Sequence, residues 1–162
     1  TMEKIMNTLE LQDFNFKLGQ VKDSIANAEI GKGLVNIKGK IYSTVGLRIT
    51  KLREHFGTSI STKFIVHENT DDKVMVECVI NLHGEEKIQF LSNGFAEKKR
   101  ALNFITKTAA IEFCQTTALG RACAGLGIIS DHNIASAEEI YGATDDSDKP
   151  KNKTKIEVIE DV

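Results

Sequence analysis

The sequence predicts an α+β fold in which a curved antiparallel three-stranded sheet lies between a shorter helix and a long helix. Three observations carry this. Residues 59–67, 74–82 and 87–91 alternate apolar and polar side chains with a period of two, as strands with one covered face do. The joins between them, Asn69-Thr70-Asp71-Asp72 and His83-Gly84-Glu85, are turn chemistry. On either side of this block, apolar residues recur every three or four positions, over residues 44–55 and again over residues 105–127. With 162 residues, 41% of them apolar and 27% charged, the chain can build one globular domain with its own core but not two comfortable ones.

The elements follow in order. In residues 3–30, Leu9, Leu11, Phe14 and Phe16 predict a short extended piece. Leu18, Val21, Ile25 and Ala28 then predict a short amphipathic helix that Gly31 and Gly33 end. Gly31-Lys32-Gly33 lacks the spacing and the terminal Gly-Lys-Ser/Thr of a phosphate loop, so these are read as loop glycines. Lys38 and Lys40 precede Ile41 and Tyr42. Ser43 or Thr44 can cap a helix running to about His55, with Val45, Ile49, Leu52 and Phe56 as its apolar stripe and Gly57 after its end. Arg48, Lys51 and Arg53 are its cations. In the sheet, Ile60, Thr62, Phe64 and Val66 share a face, as do Val74, Val76, Cys78, Ile80 and Leu82, and Ile88 and Phe90. Residues 94–100 are predicted as a loop into the long helix, and its Lys98, Lys99 and Arg100 form the densest basic patch. Such runs are commonly just solvated.

In the long helix, residues 105–127, Ile105, Ala109, Phe113, Leu119, Cys123 and Leu126 form the apolar stripe. The other side carries Lys107, Ala110, Cys114, Thr117, Ala118, Arg121 and Gly125, and Lys107, Cys114 and Arg121 stack on one face at seven-residue spacing. A face of small residues and two long cations lets another backbone come close, whether a phosphodiester chain, a neighbouring protein chain or a packed helix. Beyond Gly127 the periodicity fades. Residues 136–141 can make a short helix, and residues 143–162, with the chain's single proline and few large apolar groups, read as a disordered tail. The predicted organisation is one domain over residues 1–135 and an acidic tail over residues 136–162.

The net charge of -2 conceals an asymmetry: residues 1–127 hold 17 Lys and Arg against 14 Asp and Glu, and residues 128–162 hold 4 against 9. Cys78, Cys114 and Cys123 form no close pairs, which predicts reduced, buried thiols and neither a disulfide framework nor a zinc site. His55, His67, His83 and His132 are scattered, and there is no His-x3-His, Cys-x2-Cys or Gly-x-Ser-x-Gly. The pairs Asp71-Asp72 and Glu85-Glu86 sit in turns, whereas two-metal nucleases hold carboxylates on strand ends in a core. The reading is therefore a protein that is not an enzyme and takes no metal or cofactor. No apolar run approaches the ~18 residues of a membrane span and no signal-peptide pattern opens the chain, so a cytoplasmic protein is expected.

Binding fares better than catalysis. A single strand of DNA needs a cationic groove tracking its phosphates. Arg48 and Lys51 from the first helix, Lys98, Lys99 and Arg100 from the loop, and Lys107 and Arg121 from the long helix could line one. Aromatics are only 6% of residues, with two Tyr and no Trp, so the composition suits holding phosphates and leaving bases free to pair. The basic excess of one subunit is small, and an oligomer would multiply it.

Two segments carry a resemblance. Residues 118–127, ALGRACAGLG, resemble the helix end of the type (small)-x-GRAL-x-x-LG found in phage single-strand annealing proteins of the Erf and Rad52-like group. Residues 42–57, YSTVGLRITKLREHFG, resemble the Rad52 segment in which Gly-x-Arg starts a helix ending in Phe-Gly. The three strand runs lie between them, and the resemblance covers roughly residues 30–130. It implies a Rad52-like core assembled into an oligomeric ring, with single-stranded DNA in an outer groove. The implied function is ATP-independent binding of single strands and annealing of complements in phage-type homologous recombination and DNA repair, in the cytoplasm of a host cell if the protein is phage-encoded. In that family the groove floor includes the Arg after Gly-x, matched by Arg48, and a Lys-Arg pair on the long helix, of which Arg121 matches. The Lys position is Gly120 here, and a further Arg is lost among Ala124-Gly125, which shifts load to Lys98, Lys99, Arg100 and Lys107. The acidic tail would offer a contact to a host or phage replication or recombination protein. Two other readings stay open: a self-assembling structural or interaction domain without annealing activity, and a nuclease using the acidic turns.

Overall fold

A computed structural model describes residues 8–100 and 109–143, and the structural statements below concern those residues. The chain folds as α+β, with a three-stranded antiparallel sheet and helices.

The first helix, α1 (Thr8–Ala26), is continuous. The expected extended piece around Leu9–Phe16 is thus corrected. Leu11, Phe14, Leu18, Val21 and Ile25 step by three and four, one helical stripe, and the period-two reading of the first few apolar residues missed it. Val21 and Ile25 are fully buried, whereas Leu9 and Phe16 lie off the stripe and are exposed. An unforeseen hairpin follows, β1 (Leu34–Ile37) paired with β2 (Lys40–Ser43). Its two-residue turn, Lys38-Gly39, has φ of 52° and 84°, the twist that joins such strands. The Asn36 Oδ1 accepts the Gly39 N–H at 3.0 Å.

The next helix, α2 (Val45–Phe56), runs where the apolar stripe predicts it. Thr44 is its N-cap, its Oγ1 accepting the Leu47 N–H at 3.1 Å, and Gly57 ends it at φ 58°. A single 3₁₀ turn, Gly57–Ser59, leads into the sheet. The sheet runs in the order β3 (Ile60–Asn69), β4 (Lys73–His83), β5 (Ile88–Lys99), each pair antiparallel. Here the expected loop at 94–100 is corrected: β5 continues, with Lys98 opposite Val74 and Lys99 opposite Lys73. Its inward positions are Ser92, Gly94 and Ala96, too small to register as a hydrophobic alternation.

Those small residues exist because the helix α3 (Ala110–Gly125) lies almost on the strand backbone. A Cβ on Gly94 would collide with the Ala118 carbonyl and sit 2.5 Å from the Ala122 nitrogen. The Ser92 hydroxyl donates to the Ala122 carbonyl at 2.8 Å. The core lies between α3 and β4, where Val74, Val76, Cys78 and Ile80 meet Ala110, Cys114, Ala118, Ala122 and Cys123, all without exposed surface. The face of α3 with small residues is therefore its packing face, and the expected stack of Lys107, Cys114 and Arg121 does not form an outer stripe. Cys114 is buried, its Sγ donating to the Val74 carbonyl at 3.6 Å, and Arg121 is exposed. Lys107 and the first turn of the predicted helix lie outside the described residues.

The chain closes with α4 (Ala137–Ala143). Ser136 and Ala137 are buried, and Gly142 lies against the Phe113 ring. The boundary expected after residue 135 thus falls inside packed structure, and the tail itself, from residue 144, lies outside the described residues. The sheet face opposite α3 carries a polar lattice: Glu77 accepts from Asn93 at 3.0 Å and meets His67 at 2.7 Å, and Lys73 bridges Glu68 and Glu97, each at 3.2 Å. No helix among the described residues is long and apolar enough to cross a membrane.

Candidate nucleic-acid interface

Arg48 stands one turn into α2, and it is fully buried. Its Nε donates to the Ser43 hydroxyl at 2.8 Å. Its Nη1 donates to the carbonyls of Gly120 and Ile134, both at 2.9 Å, and its Nη2 to those of Ala135 at 3.1 Å and Asn133 at 3.4 Å. A guanidinium has five N–H donors, and all five are used. Arg48 therefore has neither surface nor donor for a phosphate, which corrects its expected place in a DNA groove: it holds residues 133–135 against α2 and α3. Burial lowers its pKa from the ordinary value, opposed in part by the Glu139 and Glu138 carboxylates. Glu138 takes the N–H of Val45 with both carboxylate oxygens, at 3.1 Å each, so a carboxylate closes the positive end of α2.

Four of the expected cations lie on β5, just past its end and on α3, on two faces of the sheet. Lys98 lies half-buried with its ammonium 4.5 Å above the Phe113 ring, a cation–π contact that ties the strand end to α3. Lys99 alternates to the other side of the strand and is exposed. Arg100 donates from Nη2 to the Asn69 Oδ1 at 2.5 Å, and its backbone N–H to the Asp72 carbonyl at 2.8 Å, so the β3–β4 turn fixes it. Arg121 rises from α3 where the helix crosses Gly94, on the side of β5 that Lys98 also faces. Its side chain is 51% exposed, and its Nη2 meets the Glu139 carboxylate at 2.7 Å. The second oxygen of Glu139 is buried without a hydrogen-bond partner, as is the Thr117 hydroxyl on α3. Lys51 is not part of this group: it sits on α2 and binds Glu54 at 2.9 Å.

The sequence reading passed over the tip of the β1–β2 hairpin, where Lys38 and Lys40 are both exposed. Lys-Gly between alternating apolar residues was the available signal. The hairpin is tied to the last part of the chain by the Asn133 side-chain amide and the Ser130 hydroxyl, both donating to the Ile41 carbonyl.

The thiols are built for packing. Burial pushes Cys78 and Cys123 up to about 12 and raises Cys114 as well, so all three are neutral thiols in the core. Among the described residues, no group of three or more His, Cys, Asp or Glu side chains is arranged to hold a metal ion. The chain matches no family model and no curated protein.

Proposed function

We propose that the chain is a single-stranded DNA-binding protein that anneals complementary strands without ATP, built on a Rad52-like core and assembled as a ring. The observation that carries this reading is the order of its parts. A helix beginning with Gly46-Leu47-Arg48, three antiparallel strands and a helix bearing Gly120-Arg121 follow one another as the resemblance requires. Lys98, Lys99, Arg100 and Arg121 supply the phosphate contacts, with Lys107 entering from residues beyond the described part. Arg48 does not contact DNA and instead sets the position of α2 against α3.

Annealing makes and breaks no covalent bond, so the chemistry asked of these residues is electrostatic. Cations that bind phosphates release counterions and hold the strand, and a surface with few stacking aromatics leaves the base edges free to find a complement. A ring repeats the few cations of each subunit around its circumference. Such a protein would work in the cytoplasm, on DNA of the host or of an infecting phage.

The test is an oligonucleotide titration at several salt concentrations, joined to an annealing assay with complementary strands and no nucleotide. Binding that weakens linearly in log[salt], with annealing faster than the spontaneous rate, is expected. Absence of both at low salt overturns the proposal. A second reading, a self-assembling interaction domain, draws on two features: Arg121 is already engaged by Glu139, and Ile88, Phe90 and Phe95 on β5 are at least half exposed. Oligomers in sedimentation with no oligonucleotide binding would favour it.

A further inference from the structure

A groove of about 580 Å³ opens between α1 and the turn joining β4 to β5, away from the cations of the proposed interface. Its floor is apolar: Phe14 and Phe56, with ring centroids 5.5 Å apart, and Leu82. Its rim is acidic. Glu10 and Asp13 come from α1, and Glu85 and Glu86 from the β4–β5 turn. Only two lysines, Lys17 and Lys87, line it as well, and Lys17 is bound to Asp13 at 3.0 Å. An apolar floor between carboxylates is the chemistry that recognises an apolar segment flanked by lysines.

The chain carries such a segment beyond its described part. Residues 149–159, KPKNKTKIEVI, place Lys149, Lys151, Lys153 and Lys155 at every second position and follow them with Ile156, Val158 and Ile159. In extended backbone the four lysines would fall on one side. We infer that this segment docks in the acidic groove of its own subunit, lysines to the rim and Ile156 or Val158 to the floor.

The reach is sufficient. About 13 residues separate Ala143 from Ile156, an extended span of about 45 Å. Gly142 lies by Phe113, which Lys98 covers opposite Val74, and the groove lies by Leu82 on the same strand. That is about eight residues along β4, or about 27 Å. The inference is independent of DNA binding, since no residue of the groove belongs to the proposed interface.

The test is limited trypsinolysis of the full chain, following by mass spectrometry the cuts after Lys151, Lys153 and Lys155. A docked tail within the same chain experiences millimolar effective concentration, so even weak docking should slow these cuts roughly tenfold against a free peptide of residues 144–162. The protection should vanish near 1 M salt, where the Debye length is about 3 Å. Charge reversal in the exposed turn, Glu85→Lys with Glu86→Lys, should remove it without changing the melting temperature, and adding Lys153→Glu with Lys155→Glu should restore it at the remaining cut after Lys151, measured against a free peptide carrying the same two changes. Cleavage as fast as the free peptide at low salt overturns the inference, as does a charge swap that restores nothing. Protection that disappears on dilution also overturns it, because the tail would then dock on another copy.

Discussion

The guanidinium of Arg48 meets five neutral oxygens, and that arrangement decides what its removal does. Arg48→Ala leaves a hydroxyl and four carbonyls short of a donor in a closed interior. At about 1–3 kcal/mol for each group left unsatisfied, a loss of at least about 3 kcal/mol is expected, read from a urea melt. Arg48→Lys should recover little, because an ammonium has three donors and no planar fork. Arg121→Ala is the contrasting case: its side chain is half exposed, so the loss in the melt should be smaller and come from the Glu139 carboxylate it leaves unpaired, while the slope of log affinity against log[salt] falls by about 0.7 for one lost phosphate contact. An unchanged slope removes Arg121 from the interface. The thiols bear on pH. Cys78 and Cys123 are raised from 9.0 to about 12 in the folded protein. Above pH 9 the unfolded thiols ionise while the folded ones stay neutral, so unfolding releases protons and stability should fall as pH rises from about 9 toward 12. Cys78→Ala should flatten that decline in alkaline melts even though it costs stability at neutral pH.

At the scale of elements, α2 was legible because its cap, its stripe and its terminating glycine all agree, Thr44, Leu52 and Gly57 being examples. β4 was legible for the same reason: Val74, Val76, Cys78 and Ile80 alternate without exception. Legibility failed where packing is made by the absence of side chains. Ser92, Gly94 and Ala96 carry no hydrophobic signal, yet they are the contact surface for α3, so the second half of β5 looked like a loop and the small-residue face of α3 did not reveal which backbone it packs on. Arg48 misled for a related reason: its charge and its Gly-x-Arg position pointed to a phosphate, and the carbonyls that take its donors come from distant residues that only the fold brings around it. The close approach at Gly94 makes a direct prediction. Gly94→Ala must push α3 off the strand, and overpacking of this kind costs about 1–3 kcal/mol. Denaturant midpoints of the variant and its parent measure it, and equal midpoints would mean the helix is free to shift.

For the molecule as a whole, charge is divided along the chain. Residues 144–162 hold six acids and four lysines, so their removal makes each subunit more positive by two. If the acids compete with DNA for the cations near Arg121, the shortened chain should bind single strands more tightly, with the advantage largest at low salt and shrinking as the Debye length falls below about 10 Å. Affinities that match at every salt concentration, with oligomers intact, would exclude competition. Glu139, on α4 and inside the packed domain, already occupies Arg121 in this manner, and its partnerless oxygen shows that the contact is incompletely satisfied.

The clamp around Arg48 also has a history during synthesis. Its carbonyl acceptors lie 72 to 87 residues further along the chain. At about 5–20 residues per second, α2 leaves the ribosome several seconds before anything exists that can receive its inward-facing charge. Burying a bare guanidinium is prohibitive, so α2 has to wait, helical or not, for the stretch around residues 133–135 to arrive. The order of assembly is thus written into one side chain: the meander and α3 can meet first, and the last loop admits α2 to the core. A nascent chain arrested before Asn133 emerges should leave α2 open to protease, and one arrested beyond Ala143 should not.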